Sequence, residues 1–216
     1  KELAELPKRT LAVYTAAGCS ACEYGILDLQ YQVSSLTPWA EVVFWPHLLG
    51  GEWDDVKSAD RIDVCIFAGA LATNKDREAA SLLREKSEIM IACGACAAFG
   101  GLPGLVNLHP ETSNDLREAA DAEGPPPLPG ATPLVAGLPG FCTVDYVVPG
   151  CPPPQNLLWA AGQAILCGGE APARISFAAS RLPDTLASAI AAGVLPNKGS
   201  VFGGEKGVCA SCSRRK

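Results

Sequence analysis

Cysteine is the residue type through which this chain is best equipped to do chemistry. There are ten, at positions 19, 22, 65, 93, 96, 142, 151, 167, 209 and 212 of 216 residues. A thiolate is both a nucleophile and a metal ligand, so a set this dense has two main uses. One is a disulfide framework, which needs an oxidising compartment. The other is ligation of a metal or an iron–sulfur cluster. The first residues, KELAELPKRTLAVYTAAG, hold acids and only a short apolar run. They make a poor secretory signal, and a chain of this length builds a core without disulfides. Ligation in a cytoplasmic setting is the expectation.

Spacing sharpens this without settling it. Cys19 and Cys22 form a CxxC, and Cys209 and Cys212 form another. A CxxC alone also fits a thioredoxin-like redox pair or half of a structural zinc site. The position of the thiols relative to the secondary structure separates these uses.

Short apolar runs alternate with helical stretches. Strands are expected over 11–14, 42–45, 63–68, 89–92 and 144–148. Helices are expected over 23–36, 76–86, 115–123, 156–166 and 182–194, with a Gly/Pro loop over 124–130. This alternation predicts an α/β fold: a flavodoxin-like parallel sheet in the order 2-1-3-4-5, with helices on both faces. The expected domains are 1–170 for that sheet and 171–216 for a short C-terminal cysteine-bearing extension. Ligands of such sheets bind beyond the carboxyl ends of the strands.

On this map Cys19 and Cys22 follow the first strand. Cys93 and Cys96 follow the fourth, and Cys151 follows the fifth. Three strand ends thus bring thiols to one edge, which favours a cluster over two zinc knuckles. Gly18, Gly94, Gly100, Gly101 and Gly150 surround them and allow backbone N–H groups to approach sulfur. Cys22 lies in a helical first turn, where the helix dipole favours thiolate. Pro152, Pro153 and Pro154 fix the chain direction after Cys151.

Other function classes are disfavoured. With 17 basic and 23 acidic residues, the net charge is −6. There is no basic stripe for nucleic acid. No apolar stretch approaches the length of a membrane span.

The segments GCSACE (18–23), GACAAFGG (94–101) and PGCPPP (149–154) resemble the small subunit of nickel–iron hydrogenases, over roughly residues 8–170. The resemblance selects Cys96 rather than Cys93. It implies that Cys19, Cys22, Cys96 and Cys151 bind a proximal [4Fe–4S] cluster facing a Ni–Fe centre carried by a separate large subunit. This chain would then relay electrons without carrying nickel. VDYVVPGCPPP (144–154) and KGVCASC (206–212) are similar to the non-F420-reducing type. That implies downstream iron–sulfur or flavin partners, of the heterodisulfide-reductase or NAD-linked bifurcating kind. The related complex I subunit usually has adjacent cysteines in its first motif, and this chain has CxxC. Extra cysteines found in some oxygen-tolerant members would fall at Ala21 and Gly101, so an ordinary cubane is implied. His47 and His109 both precede the last motif, so neither matches the distal-cluster histidine of exported members.

The tail pair Cys209 and Cys212 is a candidate half of a second [4Fe–4S] site. Cys65, Cys142 and Cys167 read as small buried hydrophobes, and Cys93 as a neighbour of the site. Glu23 is either a first-turn helix acid or a contact at the large-subunit interface or on a proton path. Asp28 reads as solvated or capping. Trp39, Trp45, Trp53 and Trp159 read as core or interface.

Overall fold

A computed structural model of the chain describes residues 8–29, 40–108, 131–166 and 197–202. Eight strands are found among them. They are β1 (Arg9–Thr15), β2 (Ala40–Phe44), β3 (Ile62–Ala68), β4 (Leu71–Thr73), β5 (Ser87–Cys93), β6 (Ala131–Ala136), β7 (Tyr146–Val148) and β8 (Ser200–Val201). The α-helices are α1 (Ala21–Leu27), α2 (Trp53–Ser58), α3 (Asn74–Lys86), α4 (Gly94–Phe99) and α5 (Gln155–Leu166).

Six strands form one sheet in the order β2-β1-β3-β5-β7-β8, and every neighbouring pair in it is parallel. The first five reproduce the expected flavodoxin-like order. β4 and β6 pair separately and antiparallel.

Alternation along each strand sends side chains to two cores. Leu11, Val13, Val64, Ile89 and Ile91 join α5 residues such as Leu158, Trp159 and Ile165 on one face. Ala12, Cys65, Phe67, Met90 and Ala92 meet Val56 of α2, Ala80 and Leu83 of α3, and Ala97 of α4 on the other. Helices therefore cover both faces, as expected for a parallel sheet. The α5 segment is apolar nearly all round and is buried accordingly. α3 starts at a capping box: Thr73 Oγ accepts from the Asp76 N–H, and the Asp76 carboxylate accepts from the Thr73 N–H at 2.8 Å.

The structure departs from expectation at several places. α4 lies where glycine-rich sequence gave no helical signal. α2 and β4 are too short for a periodic pattern, and the β6 stretch ATPLVA carries Pro133, which argues against a strand in sequence. β7 begins at Tyr146 rather than at 144, because Asp145 is used otherwise. Its carboxylate accepts from the Met90 N–H (2.8 Å), Arg84 Nη1 (2.7 Å) and Lys198 Nζ (2.9 Å). β8 lies within the expected C-terminal extension, yet it extends the main sheet, and Phe202 stacks on Tyr146 with ring centroids 5.5 Å apart. The helix expected over 23–36 is seen as α1, and positions 30–36 lie outside the described residues. So do the helices expected over 115–123 and 182–194, the 124–130 loop, His109, Trp39, Cys167, Cys209 and Cys212. Among the described residues, no helix is long and apolar enough to cross a membrane.

Asp145 ties β5, α3 and the approach to β8 together. Burial alone would push its carboxyl up, but the Met90 N–H, Arg84 and Lys198 outweigh burial and hold it below the usual carboxylate range. A depressed carboxyl adds stability above its unfolded pKa and loses it as pH falls through the folded one. Asp145→Asn should therefore cost about 2 kcal/mol in urea denaturation at neutral pH, and the gap to wild type should close on acidification.

Candidate metal centre

The carboxyl ends of β1, β3, β5 and β7 open on one edge of the sheet. Backbone hydrogen bonds stitch the loops there. The Ala16 N–H donates to Ala68 O at 2.9 Å, and the Ala70 N–H donates to Ala17 O at 2.7 Å. These join the loop after β1 to the loop after β3. The Ala95 N–H donates to Gly150 O at 2.6 Å, joining the start of α4 to the loop after β7. Ser20 then takes a left-handed turn (φ 59°) and launches α1. The Cys151–Pro152 peptide is cis.

This framework brings Cys19, Cys22, Cys96 and Cys151 around one small cavity, with Thr15, Ala68, Gly69 and Gly150 among its other lining residues. Cys19 and Cys151 are exposed, while Cys22 and Cys96 are half-buried. Cys93 does not line this cavity. It is buried in the core between the sheet and α5, and it lines an apolar cavity there with Trp45, Trp159 and Ile165.

Two glycines permit the approach. Gly94 (φ +86°) lies against Cys22 Sγ so closely that a Cβ there would overlap the sulfur. A Cβ on Gly101 (φ +51°) would fall 2.7 Å from Cys96 Sγ. Both positions also have the left-handed backbone that side chains rarely adopt.

The electrostatics fit a cationic guest. Burial pushes the Cys96 thiol up, and negative charge on Cys22, Cys151 and Cys19 pushes it further, against a lowering by the Leu102 N–H that donates to its sulfur. Cys22 moves the other way. A hydrogen bond from Cys93 lowers it, outweighing burial. Cys93 is held well above the usual thiol range by that same bond, by burial and by the nearby Cys22 charge. Among the described residues, no group of three or more His, Cys, Asp or Glu could hold a single metal ion.

Thr15 is the residue that sequence reasoning missed. Its Oγ is buried and has no hydrogen-bond partner among the described residues. Leaving a hydroxyl so costs about 1–3 kcal/mol. An anionic sulfur group in the adjoining cavity would give it an acceptor. The donor set, the glycine contacts and this orphan hydroxyl all fit an iron–sulfur cluster. The available signal was one polar residue closing an apolar strand.

Glu23 is only 4% exposed. Trp45 Nε1 donates to one of its carboxylate oxygens, and His47 Nδ1 lies 3.1 Å from the other. Trp45 and His47 follow β2, so this group ties the end of β2 to α1. Asp28 is exposed at the C-cap of α1. Trp45 and Trp159 are buried, and Trp53 packs against Tyr14 and Phe44. Cys65 is fully buried, and burial pushes its thiol up to about 12. Cys142 packs against the core on the α3 side but is only half-buried, so its reading as a buried hydrophobe is corrected to a partly buried one.

Comparisons with known proteins bear on this arrangement. A subunit of the F420-non-reducing hydrogenase vhu of Methanococcus voltae is 34% identical over 174 residues, covering 76% of this chain and 58% of that protein. The δ subunit of the NAD-reducing hydrogenase HoxS of Cupriavidus necator is 29% identical over 165 residues, covering 70% and 76%. This chain thus spans only a little over half the length of the Methanococcus relative. A crystal structure of an NAD+-reducing [NiFe]-hydrogenase in the H2-reduced state superimposes with a TM-score of 0.64 at 25% identity, over 75% of this chain and 93% of that one. Residues 19–165 match the profile of the family described as NADH ubiquinone oxidoreductase, 20 Kd subunit. The hydrogenase and complex I likenesses weighed from the sequence therefore meet in a single family. The matched stretch includes all four cavity cysteines and most of the sheet, and the chain belongs to that family.

Proposed function

We propose that this chain is the electron-transfer small subunit of a [NiFe] hydrogenase and holds a proximal [4Fe–4S] cluster through Cys19, Cys22, Cys96 and Cys151. The observation that carries the reading is the meeting of these four thiols, from three strand ends, around one cavity. The cluster, when bound, supplies a one-electron carrier. The chain supplies everything that fixes and insulates it. α1 and α4 each present a cysteine from a first turn. The Leu102 N–H donates to Cys96 Sγ, and bonds of this kind to ligating sulfur tune the carrier's potential.

The partner side of the proposal is a large subunit that carries the Ni–Fe centre. Cys19 and Cys151 face solvent. Beside the site, Tyr24 and Leu102 are 62% and 69% exposed. Exposed apolar residues next to a redox centre suit a docked subunit. The similar proteins named as hydrogenase subunits support this choice, as does the similar NAD+-reducing enzyme for downstream electron carriers of the flavin or iron–sulfur kind. The family's description favours a second reading, a quinone-linked complex I-like subunit.

Anaerobic purification with metal analysis tests the proposal. The chain should carry iron and acid-labile sulfide and bring down a nickel-containing subunit. Zinc without iron or sulfide would falsify the cluster, and co-purification with a nickel-free membrane assembly would favour the second reading. The ligand assignment has its own test. Cys96→Ala should lose most of the iron and sulfide, whereas Cys93→Ala should retain them; the reverse pattern would reassign the third ligand. Gly101→Val should also reduce iron to background, because its side chain would displace Cys96. Retention of wild-type iron would show that the close contact has no role in loading.

A further inference from the structure

We propose that Thr15 donates a hydrogen bond to a sulfur of the iron–sulfur group held by the four cysteines, and that this bond raises the group's reduction potential. The inference rests on the ligand reading above. Thr15 is the last residue of β1 and lies on the same face as Leu11 and Val13. Strand register puts it beside Ala68, which in turn pairs with Cys93. These residues form a row across the carboxyl edge of the sheet. Ala68 contributes only a methyl group, so space opens between the row and the start of α1. Thr15 lines the cavity in that space together with Cys19, Cys22, Cys96 and Cys151.

Three properties make Thr15 more than a strand residue. It is 7% exposed, so bulk water does not satisfy it. Its hydroxyl has no acceptor among the described residues. Apart from Ser20, the only side-chain acceptors among the described residues around the cavity are the cysteine sulfurs. A buried hydroxyl normally finds a partner, and a sulfur of a group seated in this cavity would supply one. Donation to sulfur stabilises the reduced, more negative state more than the oxidised one, so the potential rises.

Thr15→Val removes the donor while keeping the branched shape that suits a strand. The test uses the full chain with its cluster reconstituted. Iron and sulfide are measured first, and the midpoint potential is then read by EPR-monitored titration. Thr15→Val at wild-type iron content should show a lower potential, and Thr15→Ser should bring it back. Equal potentials in wild type and Thr15→Val overturn the inference and leave the ligand reading intact. A wild-type chain without iron and sulfide defeats the ligand reading, and this inference with it. Should Thr15→Val fail to load, Thr15→Ala makes the same comparison, and an unshifted potential there is equally fatal. If both fail to load while Thr15→Ser loads normally, the hydroxyl serves assembly and the inference about the potential falls. If all three fail, Thr15 serves packing only and the inference falls.

Discussion

Negatively charged sulfurs repel, and this chain gathers four cysteines around one small space. The cost is visible at Cys96, whose thiol is raised by burial and then by charge on each of the other three. Such a set cannot be held by loops free to relax apart. It needs backbone that is already fixed when the guest arrives. The parallel ladders from β1 through β3 and β5 to β7 provide that, because each strand end is located by its neighbours. The bonds from Ala16 to Ala68, Ala70 to Ala17 and Ala95 to Gly150 extend the ladder into the loops themselves. Folding of the sheet therefore builds the site, and a positive inorganic core would offset the repulsion that the sheet enforces.

Much of this was legible in the sequence because it rests on periodicity. Runs such as Leu11 to Tyr14 and Ile89 to Ala92 are buried on both faces of a parallel sheet, so they read as continuous apolar stretches. Their alternation with helical patterns led to the strand order and to the shared edge. What was missed has no period to read. α4 is six residues beginning at a glycine, and β8 is two residues whose strand character comes from backbone pairing with β7. Asp145 closes an apolar run as β7 begins, and only its three partners explain the later strand start. The contact of Glu23 with Trp45 and His47 joins residues 22 and 24 positions apart. Nothing in their spacing announces it, since the adjacency of β1 and β2 creates it.

The Glu23 contact shows how the same edge is braced from the side. α1 has only seven residues and no side-chain cap at its start. A helix that short has little stability of its own. Its buried first-turn carboxylate takes the Trp45 indole N–H, and Trp45 is itself part of the core under α5. The turn that carries Cys22 is thereby anchored to β2 as well as to β1. A residue read from sequence as a choice between helix acid and partner contact is, within this chain, first a brace.

The different placement of Cys93 and Cys96 follows from the same geometry. Successive strand residues face opposite sides, so Cys93 shares a face with Ile89 and Ile91 and enters the core. Had β5 continued straight, the following residues would have kept that alternation and carried no thiol to the cavity. Gly94 breaks it with a left-handed turn that a side chain would obstruct against Cys22. The chain then enters α4, and Cys96 comes round to the open side with its sulfur met by the Leu102 N–H. Cys93 stays behind in the core, where its hydrogen bond to Cys22, then burial, push its thiol well above the usual range. The two cysteines are three residues apart, yet one faces the protein's interior and the other the cavity at the sheet edge. The glycine between them is the reason.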